Sequence, residues 1–138
     1  MPPATQRVAA YGLVVVDGSV LLCRASALTE VPGWWWLPGG GVDFGEHPRE
    51  TVCREFAEET GLSVTVGPLL GVLSDVRGRR SGEQVHSLRL LYRIETITGN
   101  LRPEVGGTTD LAAFHRLEDV GQLQLARYVT EALELFGP

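Results

Sequence analysis

The sequence predicts a mixed α/β (α+β) fold in one domain over residues 1–138, with helices packed on a sheet. Three observations carry the expectation. Two β-branched apolar runs flank an Asp-Gly pair near the start, and residues 87–97 alternate with the period of a strand. Residues 48–61 and 123–136 have the stop signals or the apolar spacing of helices. The length agrees: 138 residues can bury a core without disulfides.

Each element has its own reason. Residues 11–16 and 20–24 read as a hairpin joined by Asp17-Gly18-Ser19, and 25–33 as a loop. Trp34-Trp35-Trp36-Leu37 reads as a short strand, stopped by Pro38 and the turn Gly39-Gly40-Gly41. Residues 48–61 read as a helix with Pro48 in its first turn and Gly61 as its stop. Residues 64–76 are mostly apolar, with a break at Gly67-Pro68. Residues 76–84 form a polar loop holding Arg77, Arg79 and Arg80. In the strand 87–97, Leu88, Leu90, Tyr92 and Ile94 share one face. A Gly- and Thr-rich loop, 100–110, leads to a last strand, 111–116. Leu125, Val129, Ala132, Leu133 and Phe136 then form the stripe of a final helix.

Charge narrows the function classes. All 12 bases are arginine, against 17 acids, for a net charge of -5. The missing lysine excludes a Walker-type phosphate loop, a kinase-type strand lysine and Schiff-base chemistry on lysine. The net charge argues against a general nucleic-acid binder, which is basic. Cys23 and Cys53 read as buried free thiols. No apolar run reaches a membrane span, and residues 1–7 lack the charged and apolar parts of a leader. A cytoplasmic protein without membrane contact is the expectation.

Residues 43–59 carry six acids and two arginines, a net -4 of the whole charge. On a helical wheel, Glu55, Glu58 and Glu59 crowd one strip, set against a stripe of Cys53, Phe56, Ala57 and Thr60. Such carboxylates repel, and a hard divalent cation would relieve the repulsion. A merely solvated acidic face is the alternative. The surroundings favour a site. Gly39-Gly40-Gly41 lets backbone carbonyls approach a metal or phosphate, Glu46 can fold back toward the acids, and Arg54 can orient them.

Written out, the segment is Gly40, five residues, Glu46, seven residues, then Arg54-Glu55-Phe56-Ala57-Glu58-Glu59-Thr60-Gly61-Leu62. It resembles the Nudix box, Gly-x5-Glu-x7-Arg-Glu-U-x-Glu-Glu-x-Gly-U with U apolar, at every fixed position. From average residue usage, a chance match in a chain of this length is on the order of one in ten million. One departure is His47 at the helix N-cap, where the family often places Ser, Thr or Asp. A cap weaker by about 1 kcal/mol is expected there.

The resemblance implies a Nudix fold, a mixed sheet sandwiched between helices. It implies a MutT-like pyrophosphohydrolase that uses Mg²⁺ or Mn²⁺ to cleave the diphosphate linkage of a nucleoside diphosphate joined to another moiety, such as a (d)NTP or ADP-ribose. Glu55, Glu58 and Glu59 would be the metal ligands, with the Gly40 carbonyl as a further one. Glu46 and Arg54 would support them. The general base is left among Glu55, Glu58 and a later loop acid: Glu83, Glu104 or Asp110. Glu104 ranks first among the loop acids by its distance past the box. The partner is a small nucleotide-type molecule rather than nucleic acid or membrane, and a homodimer is compatible with the family. The alternative function is a non-catalytic, nucleotide-sensing Nudix domain.

Without lysine, direct cationic contacts to phosphate fall to arginine. Arg24 resembles a family position that faces the substrate phosphates. Arg77, Arg79 and Arg80 read as a lid closing on phosphates, or else as a solvated loop tip. Trp34 and Trp36 share one strand face and Trp35 the other, so one face is core and Trp36 is a candidate for stacking on a base. His86 and His115 read as satisfied or solvated imidazoles.

Overall fold

The computed structural model describes residues 3–138. Its strands are β1 (Ala4–Leu13), β2 (Val15–Val16), β3 (Ser19–Ala25), β4 (Trp35–Trp36), β5 (Gly39–Gly41), β6 (Ser63–Gly78), β7 (Gln84–Thr98) and β8 (Thr109–Arg116). Its helices are α1 (Pro48–Thr60), α2 (Arg127–Phe136) and a 3-10 helix, Leu117–Gln122.

One mixed sheet runs β5-β1-β7-β6, with β1 parallel to β7 and the other pairs antiparallel. The second sheet centres on β3. β8 pairs along one edge of β3, and β2 and β4 share the other. Period-two alternation sends successive residues of β1 to different cores. Ala9, Tyr11 and Leu13 join the core that α2 covers through Tyr128, Val129 and Ala132. Ala10, and Val14 just past the strand, join the core that α1 covers through Val52 and Phe56. The sheet is thus sandwiched between helices, as the resemblance implied.

Local differences have physical causes. The hairpin turn is at Asp17-Gly18, both with positive φ, as a two-residue turn requires. The expected first strand begins earlier, at Ala4, because β7 supplies a long parallel partner. Only Trp35 and Trp36 of the aromatic run form a strand on β3, while the Trp34 carbonyl accepts the Ala25 N–H at 2.7 Å. The triple glycine is a short strand rather than only a turn, since Gly39, Gly40 and Gly41 lie opposite Tyr11, Ala10 and Ala9. The polar loop 76–84 shrinks because β6 and β7 stay paired out to Gly78 and Gln84. The final helix starts at Arg127. Leu125 instead bridges Trp35, and the segment before it is 3-10.

The His47 cap is stronger than expected. Its Nδ1 accepts the Arg49 N–H at 3.0 Å, and Glu50 accepts the His47 N–H at 3.1 Å. An imidazole thus completes a reciprocal capping box. Cys23 is buried as expected, but Cys53 is exposed. The buried stripe of α1 is Val52, Phe56, Thr60 and also Glu59. No described helix is long and apolar enough to cross a membrane.

Candidate active site

The rotation of α1 decides the site. Its inward arc centres on Glu59, so the acids do not share one solvent-facing strip. Glu59 is 2% exposed, and its Oε1 accepts the Gly39 N–H at 2.9 Å. Glu55, one turn earlier, lies beside it, while Glu58 points outward with 48% of its side chain exposed. Burial pushes the Glu59 carboxyl well up, and the neighbouring Glu55 charge adds to the shift. Burial also raises Glu55. Two carboxyl groups side by side in a desolvated place favour one shared proton. A Cβ on Gly40 would stand 2.8 Å from Glu55 Oε1, so only glycine lets the chain pass so close.

Arg54 holds the outer side of the acids. It grips Glu46 with Nε at 2.8 Å and Nη2 at 3.0 Å, a bidentate pair. Its Nη1 reaches Glu55 at 2.9 Å and Glu58 at 3.4 Å, and its Nη2 donates to the Gly41 carbonyl at 3.2 Å. The Arg54 hydrogen bonds, helped by Thr51, hold the Glu46 carboxyl down at about 2. The loop before α1, the helix and β5 are thereby tied at one guanidinium.

Glu55, Glu59 and Gly40 open into a cavity of about 550 Å³. Its remaining charged lining is mainly basic: Arg7 from β1, Arg77 from β6, Arg79 from the following turn and Arg89 from β7. Arg89 is buried, pairs with Asp75 and lies 4.5 Å from the Tyr128 ring centroid. Arg7 Nη1 reaches the Tyr11 hydroxyl at 3.4 Å. Trp36 also lines the cavity, whereas Trp35 is in the core.

Other expected residues lie elsewhere. Arg24 is not in the cavity lining; its Nε pairs with Asp110 at 2.8 Å, and its guanidinium lies 5.9 Å from the Trp35 ring centroid. Arg80, with 80% of its side chain exposed, also lies outside it. Glu104 Oε1 accepts from the Thr109 N–H at 3.3 Å and its hydroxyl at 3.1 Å, and Glu104 is near enough to help raise Glu59. Glu83 is paired with Arg79 at 3.3 Å, and Asp110 with Arg24. Among the described residues, no three His, Cys, Asp or Glu side chains converge as a ready metal cluster. Glu55 and Glu59 converge; Glu58 is turned to Arg54.

His86 is satisfied by Gln6 and Ser74, but His115 Nε2 is buried without a partner, the ring packing edge-on against Trp35. Sequence reasoning missed Arg7 and Arg89 as cavity residues. Their signal is a charge within strands of a sheet covered on both faces, where a buried charge needs a partner.

The comparisons agree with this architecture. A NUDIX domain model matches residues 5–136. Nucleoside triphosphatase NudI of Escherichia coli O139:H28 is 44% identical over 96% of this chain and 97% of its own. An ADP-ribose pyrophosphatase of Methanocaldococcus jannaschii is 34% identical over 84% of this chain, which spans 65% of that protein's length. The crystal structure of a MutT NUDIX hydrolase from Burkholderia pseudomallei superposes with a TM-score of 0.81 at 30% identity, covering 96% of this chain and 98% of the other. With a matched domain over nearly the whole length and two of the motif acids, Glu55 and Glu59, set at one cavity, this chain belongs to the Nudix family.

Proposed function

We propose that the chain is a metal-dependent pyrophosphohydrolase acting on a nucleoside triphosphate. One observation carries the reading: the Glu55–Glu59 pair and Gly40 open into the same cavity as Arg7, Arg77, Arg79 and Arg89. The likeness to a nucleoside triphosphatase over nearly both whole chains favours a triphosphate over ADP-ribose.

Nudix hydrolases in general need divalent metal ions, and the residues here fit one. Two desolvated carboxylates and a glycine carbonyl are hard oxygen donors, and the acids share a site where both cannot ionise cheaply alone. In this reading Glu55, Glu58, Glu59 and the Gly40 carbonyl would hold Mg²⁺. The cation supplies charge neutralisation for the diphosphate. Arg54 and Glu46 fix the carboxylates from outside. Arg79, with Arg77, receives the phosphates, and Trp36 offers a face to the base. Water attacks phosphorus as the phosphoanhydride bond to the leaving phosphate breaks, and a carboxylate takes the water's proton; Glu104, which Thr109 holds near Glu59, is the base we assign.

A panel of nucleoside triphosphates, ADP-ribose and dinucleoside polyphosphates tests this, with product identification in ¹⁸O-water. Mg²⁺-dependent release of a nucleotide product from triphosphates supports the reading, and the labelled product shows which phosphorus is attacked. Preference for ADP-ribose overturns the substrate class. Metal-independent binding without turnover of any of them overturns the enzyme.

A further inference from the structure

Residues 26–34 and the turn 79–83 meet at the cavity through one residue, Glu30. Glu30 Oε2 lies 3.6 Å from Arg79 Nη1, and its Oε1 lies 3.9 Å from Arg80 Nε. Glu30 Oε1 also accepts the Arg80 backbone N–H at 3.3 Å, and the Glu30 carbonyl accepts from Arg80 Nη2 at 3.1 Å. Glu30 and Arg79 both line the cavity that holds Glu55 and Glu59.

Glu30 is delivered there by an ordered turn. Ser26 Oγ donates to the Gly107 carbonyl at 2.8 Å, Thr29 Oγ1 donates to the Ser26 carbonyl at 2.9 Å, and Val31 N–H donates to Thr29 Oγ1 at 3.3 Å. The clasp itself is half-exposed: 42% of the Glu30 side chain and 40% of the Arg79 side chain are open. Ion pairs of that kind are weak and exchange readily for a stronger anion. A carboxylate offers one charge and two oxygens. A terminal phosphate offers more of both to the same guanidinium groups.

We propose that Glu30 is an internal stand-in for a substrate phosphate. Its carboxylate occupies the anion site that Arg79 presents to the cavity, with Arg80 at the outer, exposed edge, and the terminal phosphate of the substrate displaces it on entry. Glu30 is therefore a positioning residue acting through the two arginines. It sets a threshold that a polyphosphate crosses and a monophosphate does not. After cleavage its return favours release of the less charged product. The inference rests on the triphosphate reading above.

The test is Glu30→Gln, measured two ways. The first is the KM of any nucleoside triphosphate that the panel shows to be turned over. The second is the Kd of inorganic tripolyphosphate by calorimetry, which needs no nucleotide turnover. Losing the competitor lowers both values by about three- to fivefold, as expected for one or two weak ion pairs, and the kinetic change is carried by KM rather than kcat. The Arg79→Ala, Arg80→Ala background separates a stand-in from a general field effect. If Glu30 acts through these arginines, Glu30→Gln changes nothing there. An equal gain in that background overturns the proposal, as does an unchanged or raised Kd in the single variant. If tripolyphosphate tightens while no triphosphate is turned over, the clasp stands and the triphosphate reading falls.

Discussion

The acidic and basic linings of the cleft are built in opposite ways. Glu55 and Glu59 come from one turn of one helix, so their spacing is set by helix geometry and their aim by how α1 packs. Arg54 holds them from outside through Glu46, Glu55 and Glu58. The arginines come from β1, β6, β7 and a turn, and each is held differently. Asp75 fixes Arg89, the Tyr11 hydroxyl meets Arg7, and Glu30 and Glu83 share Arg79. Arg77 makes no ion pair among the described residues. The acidic lining is a rigid local unit suited to one chemistry. The basic lining depends on tertiary pairing between segments distant in sequence.

The largest test breaks the acidic lining at its centre. Glu59→Gln keeps an oxygen for the Gly39 N–H and removes the charge. Turnover should fall on the order of 10²–10³-fold or more, with the fold kept. Turnover near wild type would remove Glu59 from the metal site. The same variant carries a pH signature. Because the Glu59 carboxyl is raised in the folded chain, the folded state keeps a proton that the unfolded chain has lost above the ordinary value of 4.5. The metal-free protein should therefore lose stability as pH rises from there through the raised pKa. Melting in EDTA at a series of pH values checks this. Glu59→Gln should flatten the slope, and added Mg²⁺ should restore stability to the wild type alone.

Much of the acidic lining was legible because helix period and motif spacing are local properties. Two parts of it were not. The wheel placed Cys53 and Ala57 inward, but packing turned α1 so that Val52 and Glu59 face the sheet. The same turn sent Glu58 to Arg54 and solvent. Spacing fixes angles between side chains, not the angle of the whole helix to a sheet. His47 was underrated because cap preference averages over contexts, whereas here an imidazole nitrogen meets the Arg49 N–H. The basic lining was scarcely legible. Arg77 and Arg79 stood out as a cluster, but Arg7 and Arg89 are 82 residues apart in sequence and meet only through the parallel pairing of β1 with β7. Arg24 resembled a phosphate contact, but β8 brings Asp110 beside it.

A second test loosens the acidic lining without removing a ligand. Arg54→Ala leaves Glu46, Glu55 and Glu58 without their shared cation. Partners of that kind cost about 10–100-fold in activity or metal affinity when removed. The Mg²⁺ concentration for half-maximal rate should rise with the loss of rate. Glu46, held at about 2, contributes stability above the ordinary 4.5 and loses it as pH falls toward 2. The variant should show a smaller acid-side loss, the part that Thr51 and the Asp43 N–H maintain. A normal Mg²⁺ requirement would mean that α1 packing alone fixes the carboxylates.

The basic lining should respond more mildly. Arg79→Ala with Arg80→Ala should raise the KM for a triphosphate by about three- to tenfold, since half-exposed charges are worth little each. The rise should shrink as salt approaches about 1 M, where charges farther apart than about 3 Å are screened. A KM unchanged at low salt would return the turn 79–83 to a solvated tip.

The smallest effect tests whether the two linings are coupled through stability. His47→Ala removes the acceptor for the Arg49 N–H but touches neither Glu55 nor the arginines of the cavity. Loss of such a cap costs about 1 kcal/mol, or roughly 3–5 °C in Tm for a domain of this size. The loop carrying Glu46 enters α1 through this cap, yet Arg54 and Thr51 hold Glu46 independently, at 2.8 Å and 2.7 Å. The Mg²⁺ requirement should therefore stay at its wild-type value while Tm falls. A requirement that rises together with the loss of Tm would show that the capping box, and not Arg54, positions the carboxylates.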